Sequence, residues 1–265
     1  MTILQAPTSP RSRIVGGEAL YEFVLRSQET LYSGGCPQAL EYLSSRFVRL
    51  EDAHRFGVGA FTRAQADNAA ADQDTRDWIR KVWQSGIRLV FPMRNVVGDI
   101  LGIETRDIDQ KNFRDYYLAQ AKVEGTFFGI FECRSILFER SRAYVVESIL
   151  DVLSLHEVAF EWPLVAVGTS VVTEIQLATL RRFATMVGVC FDRDSAGYGG
   201  RWSLAGIRGD RVTQGTEKWS PRFVGLRWGV SDGVPLKGVK DFGEMISKYG
   251  KVMALRVLEN TFVSP

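Results

Sequence analysis

Apolar residues follow two different patterns along this chain of 265 residues. Between residues 18 and 46 they recur at helical spacing, and the pair Gly34-Gly35 divides the region into two predicted helices. Residues 77–84 predict another helix. Residues 87–103 predict a hairpin, because turn-forming residues interrupt two apolar strands. We therefore expect the first half of the chain to form a mixed α/β lobe.

From about residue 144 onward, short apolar runs alternate with helical patterns. Alternating strands and helices need right-handed crossovers, which place the strands in a parallel sheet. We therefore predict an α/β fold in which a parallel-sheet lobe follows the mixed lobe. The expected divisions are an arm at 1–15, the first lobe at 16–135, the parallel-sheet lobe at 136–250 and a tail at 251–265. The alternating elements are strands at 144–146, 164–167 and 187–191, and helices at 149–156, 173–185 and 196–207.

Acidic residues directly follow two of these strands. Glu147 comes after the first strand, and Asp151 lies one helical turn further on. Asp192 and Asp194 come after the third strand. Residues two apart on an extended backbone point to the same side, and open α/β sheets bind ligands at the carboxyl ends of their strands. Carboxylates clustered there suit a hard cation such as Mg²⁺, and therefore predict chemistry on phosphodiesters.

Each of these acids also has a purely structural explanation. Glu147 stands where the helix dipole favours an acid at the start of a helix. Asp194 fits the N-cap position of the helix that follows it. Asp151 fits the interior of its predicted helix. These explanations stay open, although a capping role for Asp194 is compatible with metal binding.

The order of elements and acids resembles the TOPRIM domain, which DnaG-type primases, topoisomerases and some nucleases share. Glu147 matches the acid after that domain's first strand, and Asp192-Arg193-Asp194 matches its later Asp-x-Asp pair. A segment that includes Asp241 is similar to the Lys-Asp-Pro-Asp-Glu segment of the bacterial primases, but Gly243 replaces the second aspartate. The fold expected from this resemblance is a TOPRIM-type parallel-sheet lobe preceded by a mixed α/β N-terminal lobe.

The likeness to DnaG-type primases extends into the first half of the chain. The run that ends in Arg94 and the glycine-containing segment at 98–102 are similar to the hairpin of the primase N-terminal subdomain. Arg106 falls where that hairpin ends in an arginine. A Tyr-Leu-x-x-Arg helix of the family is matched by the segment that ends at Arg46. Glu104 and the next residue stand where the family usually has two glycines.

For binding, the resemblance implies a groove between the two lobes that carries single-stranded DNA. Arg46, Arg94 and Arg106 are then expected to contact phosphates of the template or of a nucleotide, because a planar guanidinium pairs with two phosphate oxygens. The alternative for all three is an ordinary solvated surface position.

For activity, the resemblance implies a DNA primase catalytic core, a DNA-directed RNA polymerase that makes short RNA primers from ribonucleoside triphosphates. Its catalytic acids are Glu147, Asp192 and Asp194, which also hold Mg²⁺ or Mn²⁺. Asp241 and Asp151 are further candidate metal ligands. Two other functions stay open: a TOPRIM-type metal-dependent DNA nuclease with the same acids, and a non-catalytic nucleic-acid-binding subunit whose metal site has decayed.

Composition narrows the partners and the setting. The net charge of +2 rules out a general basic coat but leaves room for a local basic groove. Three separated cysteines and two histidines argue against a structural zinc site. There is no membrane-spanning run and no signal-peptide pattern at the start of the sequence, so we expect a cytoplasmic protein of a bacterial or phage-infected cell, with no membrane partner.

The primase family also carries a zinc ribbon and a helicase-binding region, and neither has a counterpart in this sequence. We therefore expect a minimal form from a phage, a plasmid or another mobile element, or else a partner-dependent subunit. Such a form would depend on a replicative helicase or on a separate zinc-bearing protein.

Overall fold

A computed structural model of the protein describes most of the chain. The predicted arm at 1–15 and nearly all of the helix predicted at 196–207 lie outside the described residues. All helices and strands given below belong to the described ranges. These are 17–83, 85–110, 113–117, 125–168, 173–190, 207–208, 211–212, 222–225, 239 and 241–260.

The first lobe contains an antiparallel sheet of four strands: β1 (Gly59–Thr62), β2 (Ile87–Arg94), β3 (Ile100–Asp107) and β4 (Phe113–Tyr117). The strands are adjacent in chain order, and each pair of neighbours runs antiparallel. The mixed α/β lobe expected from the sequence is thus confirmed. Its helices are α1 (Gly17–Tyr32), α2 (Pro37–Ser45), α3 (Leu50–Arg55), α4 (Arg63–Ala69) and α5 (Gln73–Val82).

The predicted hairpin is the β2–β3 pair, and side-chain hydrogen bonds close its turn. The side-chain oxygen of Asn95 accepts the backbone N–H groups of Val97 and Asp99 at 3.1 and 3.0 Å. Gly98 has φ +100°, a conformation that suits glycine. It also lies against the ring of Phe131, which a Cβ at Gly98 would meet. Only glycine therefore fits this turn without displacing the aromatic ring.

Two elements extend beyond their predicted bounds. Helix α5 begins at Gln73 rather than at 77, because the carboxylate of Asp72 caps it by accepting the N–H of Thr75 at 2.8 Å. Strand β3 continues past 103 to Asp107, because it pairs with β2 as far as Asp107 and with β4 as far as Arg106. The sequence did not predict β4.

The second lobe contains a parallel sheet in the strand order β10-β7-β5-β6, and its strands alternate with helices. The predicted succession of strands and crossover helices between 144 and 190 is confirmed. In chain order the elements are α6 (Arg134–Arg140), β5 (Arg142–Val146), α7 (Ile149–Leu155), β6 (Leu164–Ala166), α8 (Glu174–Phe183), β7 (Met186–Cys190), the paired strands β8 (Ile207–Arg208) and β9 (Arg211–Val212), β10 (Arg222–Gly225), α9 (Phe242–Tyr249) and α10 (Lys251–Asn260).

Strand β6 is short and lies at one edge of this sheet. The backbone of Phe128 pairs with Ala166 in the antiparallel sense. The N–H of Phe128 donates to the carbonyl of Ala166 at 2.9 Å, and the N–H of Ala166 donates back at 3.0 Å. The chain segment before α6 therefore covers the outer side of β6.

The two faces of the antiparallel sheet pack against different partners. Val90 and Ile103 belong to a cluster that includes Phe23 of α1. Phe91 on the opposite face belongs to a larger cluster that includes Val146 of β5. One apolar core therefore runs continuously from the first lobe into the second. Ring contacts such as Phe91–Phe128, 5.9 Å between centroids, are part of it.

The last helix also packs into this shared core. Ala254 and Leu258 of α10 are fully buried in it, although residues 251–265 were predicted only as a tail. Within the described part of the chain, no helix is both long enough and apolar enough to cross a membrane.

Candidate active site

Three neighbouring parallel strands of the second sheet end side by side at their carboxyl ends. Val146, the last residue of β5, is paired with Cys190 of β7 on one side and with Ala166 of β6 on the other. The carboxyl ends of the three strands are therefore level with one another. Glu147 follows Val146 directly, so it lies at the carboxyl end of the middle strand of the three. Open α/β sheets bind their ligands at the carboxyl ends of their strands.

Glu147 is half-buried and does not cap the helix that follows it. Ser148 takes that position, and its hydroxyl accepts the N–H of Leu150 at 3.2 Å. The carbonyl of Glu147 accepts the N–H of Gly168 at 3.0 Å, which ties the end of β5 to the residues after β6. Ser148 is therefore the N-cap of α7, and Glu147 lies one residue before it, at the end of the helix where the dipole favours an acid.

Asp192 and Asp194 lie outside the described residues. Strand β7 ends at Cys190, two residues before Asp192 in the sequence, and Cys190 is paired with Val146, the residue before Glu147. Among the residues that the structure does describe, no three His, Cys, Asp or Glu side chains come together in a group able to hold a metal. Metal binding by the Asp-x-Asp pair stays a prediction.

Asp151 is buried in the first turn of α7, with only 3% of its surface exposed. The positive end of the helix dipole favours a carboxylate at such a position. Its backbone N–H donates to the carbonyl of Ser148, three residues back, at 3.1 Å, a spacing that is frequent in the first turn of a helix. A structural role in α7 therefore has clear support, and its role as a metal ligand stays a prediction.

Asp241 and Arg46 come together at the start of α9. Asp241 is the N-cap, and its Oδ1 accepts the N–H of Glu244 at 2.7 Å. A Cβ built on Gly243 would lie 3.2 Å from that Oδ1 and 3.0 Å from Nη2 of Arg46. Two predicted site residues from different lobes thus border the same glycine, which stands where the primases have a second aspartate.

Arg94, at the end of β2, is mostly buried against the segment before α6. Its Nη1 donates to Oε1 of Glu132 at 2.8 Å and to the carbonyl of Phe56 at 3.0 Å. Burial raises the pKa of Glu132, and the charge of Arg94 partly opposes that rise. This arginine therefore joins the segment before α6 to the first lobe. The guanidinium predicted to contact a phosphate already has two partners within the protein.

Arg106 lies at the interlobe face of β3, paired across the sheet with Leu89. Its Nε donates to the hydroxyl of Tyr42 at 2.6 Å, and its guanidinium carbon lies 5.8 Å from the centre of the same ring. The side chain is partly exposed. Tyr42 thus orients the guanidinium, while the predicted phosphate contact remains a prediction.

Comparison with known proteins supports the sequence resemblance. A family model described as Toprim-like matches residues 144–207. A DNA primase of Rickettsia typhi is 26% identical over 179 residues, which cover 61% of this chain and 30% of the relative. The chain spans less than half the length of the curated relatives that it matches.

Solved structures match nearly the whole chain. A structure of the zinc-binding and RNA polymerase domains of the Aquifex aeolicus primase gives a TM-score of 0.68 at 20% identity, over 94% of this chain and 62% of that one. The chain has the fold of a DnaG-type primase core. A DnaG catalytic domain bound to single-stranded DNA gives 0.65 at 20% identity, over 93% of this chain and 80% of that one. The predicted TOPRIM-type lobe after a mixed α/β lobe is confirmed.

One buried carboxylate of this DnaG-type fold was not predicted from the sequence. Glu104 lies on β3 with 2% of its surface exposed, and its side chain reaches Gly168 after β6. The available signal was an acid directly after the apolar run at 100–103, at a position where the primases usually have glycine.

A second unanticipated feature lies between α3 and α7 of the DnaG-type fold. Asp52 accepts from Nε of Arg49 at 2.7 Å, and its other oxygen lies 2.7 Å from Nδ1 of His156. Arg49 lies 3.6 Å from Glu157, which also pairs with Lys251 at 2.6 Å. These five side chains connect α3, the end of α7 and the start of α10. No local sequence pattern predicts the whole set, because its members lie in three separate parts of the chain, at 49–52, 156–157 and 251.

Proposed function

We propose that this chain is the catalytic core of a DNA primase, which synthesises short RNA primers on single-stranded DNA. The observation that carries the proposal is that the carboxyl ends of β5, β6 and β7 lie at the same level. Glu147 directly follows the middle strand, and Asp192 comes two residues after Cys190 in the sequence. Relatives named DNA primase, and a DnaG domain of the same fold bound to single-stranded DNA, support it further.

The proposed reaction is nucleotidyl transfer. The 3′-hydroxyl of the primer attacks the α-phosphorus of a ribonucleoside triphosphate, the new P–O bond forms, and pyrophosphate leaves. Glu147, Asp192 and Asp194 would hold Mg²⁺ or Mn²⁺, since carboxylate oxygens are the donors that hard cations prefer. When bound, such ions offset charge on the phosphoryl oxygens. Asp241 and Asp151 are further candidate ligands.

The protein's own groups would bind and orient the substrates. Arg106, held by Tyr42 at the interlobe face, would contact a phosphate of the template or nucleotide. Arg46 would do the same beside the N-terminus of α9, where backbone N–H groups favour anions. Glu147 would accept the proton of the attacking hydroxyl or complete the ligand set.

The partners of such a core would be single-stranded DNA and ribonucleoside triphosphates. The arginines contact only the phosphates of the template. A replicative helicase or a zinc-bearing protein would therefore provide the further contacts that hold the template. The protein would act where bacterial DNA is copied, in the cytoplasm.

Incubation with single-stranded DNA, labelled ribonucleotides and Mg²⁺ or Mn²⁺ tests the proposal, and we expect RNA oligomers. Shortened DNA would identify a nuclease instead, and binding without either product would identify a non-catalytic subunit. Asp192→Asn should abolish synthesis without unfolding the protein, because the amide keeps the shape but loses the charge. Asp74→Asn on the exposed side of α5 is the control. Synthesis by Asp192→Asn at the wild-type rate would contradict the assignment.

A further inference from the structure

Glu104 faces the second lobe from the middle of β3. It is paired across the hairpin with Phe91, and directly opposed residues of an antiparallel pair point to the same face. Phe91 belongs to the core shared by the lobes, so the Glu104 side chain is directed there as well. With 2% of its surface exposed, it is a carboxylate placed inside an apolar interface.

The carboxylate of Glu104 lies against the turn that follows β6. A Cβ built on Gly168 would lie 3.1 Å from Cδ and 3.3 Å from Oε1 of Glu104, and still closer to Oε2. Gly168 has φ +76°, which favours glycine on its own account. The first lobe thus places a carboxyl group directly against the backbone of the second.

This contact joins two residues of the proposed active site. The N–H of Gly168 donates to the carbonyl of Glu147 at 3.0 Å. Arg106 is two residues from Glu104 on the same strand, about 6.6 Å along it and on the same face. A short path therefore runs from Arg106 through Glu104 and Gly168 to Glu147.

Apolar packing alone does not account for an acid at this position. Burying a carboxylate is unfavourable unless its surroundings compensate for the lost hydration, whereas a Leu or Met side chain would fill the same space without that cost. The DnaG-type primases that the sequence resembles usually have glycine at this position, which has no side chain to make the contact with Gly168. The contact is therefore a property of this chain.

We propose that Glu104 is a positioning residue, which fixes the Gly168 turn and thereby the distance between Glu147 and the strand that carries Arg106. The proposal rests on the proposed function, because it assigns Glu104 a role in that same cleft. The contact between Glu104 and Gly168 can be tested without measuring any activity.

A double-mutant cycle tests the contact by thermal unfolding. Gly168→Ala introduces both backbone strain and a methyl group against the carboxylate, whereas in the Glu104→Ala background only the strain remains. We expect the loss in Tm caused by Gly168→Ala to be smaller in that background, by about 3 °C or more. If Gly168→Ala alone does not fold, its recovery by Glu104→Ala is the expected result. Equal losses in both backgrounds would overturn the proposal.

Glu104→Gln tests the positioning role, because it keeps the shape of the side chain and replaces the carboxyl group with an amide. We expect kcat for primer synthesis to fall about tenfold with little change in template Kd, since displacing a catalytic group by about 1 Å can cost on the order of 100-fold. Mn²⁺ affinity, titrated without nucleotide, should also weaken. Unchanged kcat and unchanged Mn²⁺ affinity would reduce Glu104 to a packing residue and overturn the proposal.

Asp107→Asn is the matched control, because Asp107 is a buried carboxylate of the same strand on its other face. Its Oδ1 accepts the N–H groups of Asp109 and Gln110 at 2.9 and 2.7 Å. This variant should lower Tm but leave the Mn²⁺ affinity unchanged. If the wild-type protein makes no RNA, the proposed function fails, and the Tm cycle and Mn²⁺ titration still decide the role of Glu104.

Discussion

At the scale of single residues, Asp52 has the clearest electrostatic role. Burial alone would raise the pKa of its carboxyl, but hydrogen bonds from His156 and Arg49 outweigh burial and lower the pKa to about 2 from an ordinary 3.8. The folded protein therefore favours the ionised carboxylate more than the unfolded chain does. The ion pair contributes stability wherever the unfolded carboxyl would also be ionised.

We expect Asp52→Asn to lower the free energy of unfolding by about 2 kcal/mol at pH 7, the value of the pKa difference. The contribution is complete above about pH 4 and is lost as pH falls from there towards 2. Urea unfolding of both proteins between pH 7 and pH 2.5 measures it. Exposed Glu51 on the same helix provides the control variant, Glu51→Gln. A stability difference that stays constant over this pH range would contradict the assignment.

Two arginines predicted for the same task occupy different environments. Arg94 is held by Glu132 and a backbone carbonyl, and its side chain is only 16% exposed. Arg106 is oriented by a tyrosine and stays partly exposed. The sequence assigned both to phosphate binding because both match family positions, and it could not show that Arg94 pairs with a residue 38 positions away.

We expect Arg106→Ala to weaken binding of single-stranded DNA and to reduce the salt dependence of log Kd by about one unit, with little change in stability. Arg94→Ala should instead cost on the order of 3–5 kcal/mol of stability, because it leaves Glu132 buried without its partner. DNA titrations at several salt concentrations and urea unfolding separate the two. An unchanged slope for Arg106→Ala would remove it from the binding surface.

At the scale of elements, the sequence predicted those whose patterns are local. The crossover helices and the strands around Glu147 were correct, because buried runs and capping residues there are contiguous in the chain. Strand β4 was missed, since the run Phe113–Tyr117 contains charged residues and becomes a strand only by pairing with β3. The position of Glu147 at a strand end was therefore predictable from the sequence. The contact of Glu104 with Gly168 was not, because it depends on where a distant part of the chain lies.

The start of α9 permits a test that separates helix capping from metal binding. Asp241→Ala should lower stability by about 1 kcal/mol, whereas Asp241→Ser, which retains a capping oxygen, should stay within about 0.5 kcal/mol of the wild type. Thermal unfolding compares the two variants. Equal destabilisation would exclude the cap as the source of the effect. Loss of synthesis in the stable Ser variant would identify the carboxylate charge itself as the requirement.

At the scale of the whole molecule, the two lobes share one apolar core. Phe91 of the antiparallel sheet, Val146 of the parallel sheet and Leu258 of the last helix all belong to it. The sequence suggested divisions near 135 and 250, because local patterns change there. Which faces of the two sheets meet is a long-range property, so the shared core was not predictable.

We expect the protein to unfold in one cooperative transition, because neither sheet can bury its inner face without the other. Calorimetric and van't Hoff enthalpies of unfolding should agree, and circular dichroism and tryptophan fluorescence should give the same midpoint. Two resolved transitions would show instead that the lobes fold separately and meet only afterwards.

The short strand β6 has a consequence for how this molecule meets other proteins. Exposed sheet edges are templates onto which foreign strands add, and proteins guard them with short strands or covering segments. Here three residues form the edge, and Phe128 occupies the hydrogen-bonding groups of Ala166. Strand addition is therefore blocked on that side of the TOPRIM-type sheet. A protein that approaches the described part of this flank finds the backbone groups of Ala166 already paired, so it has to recognise side chains there.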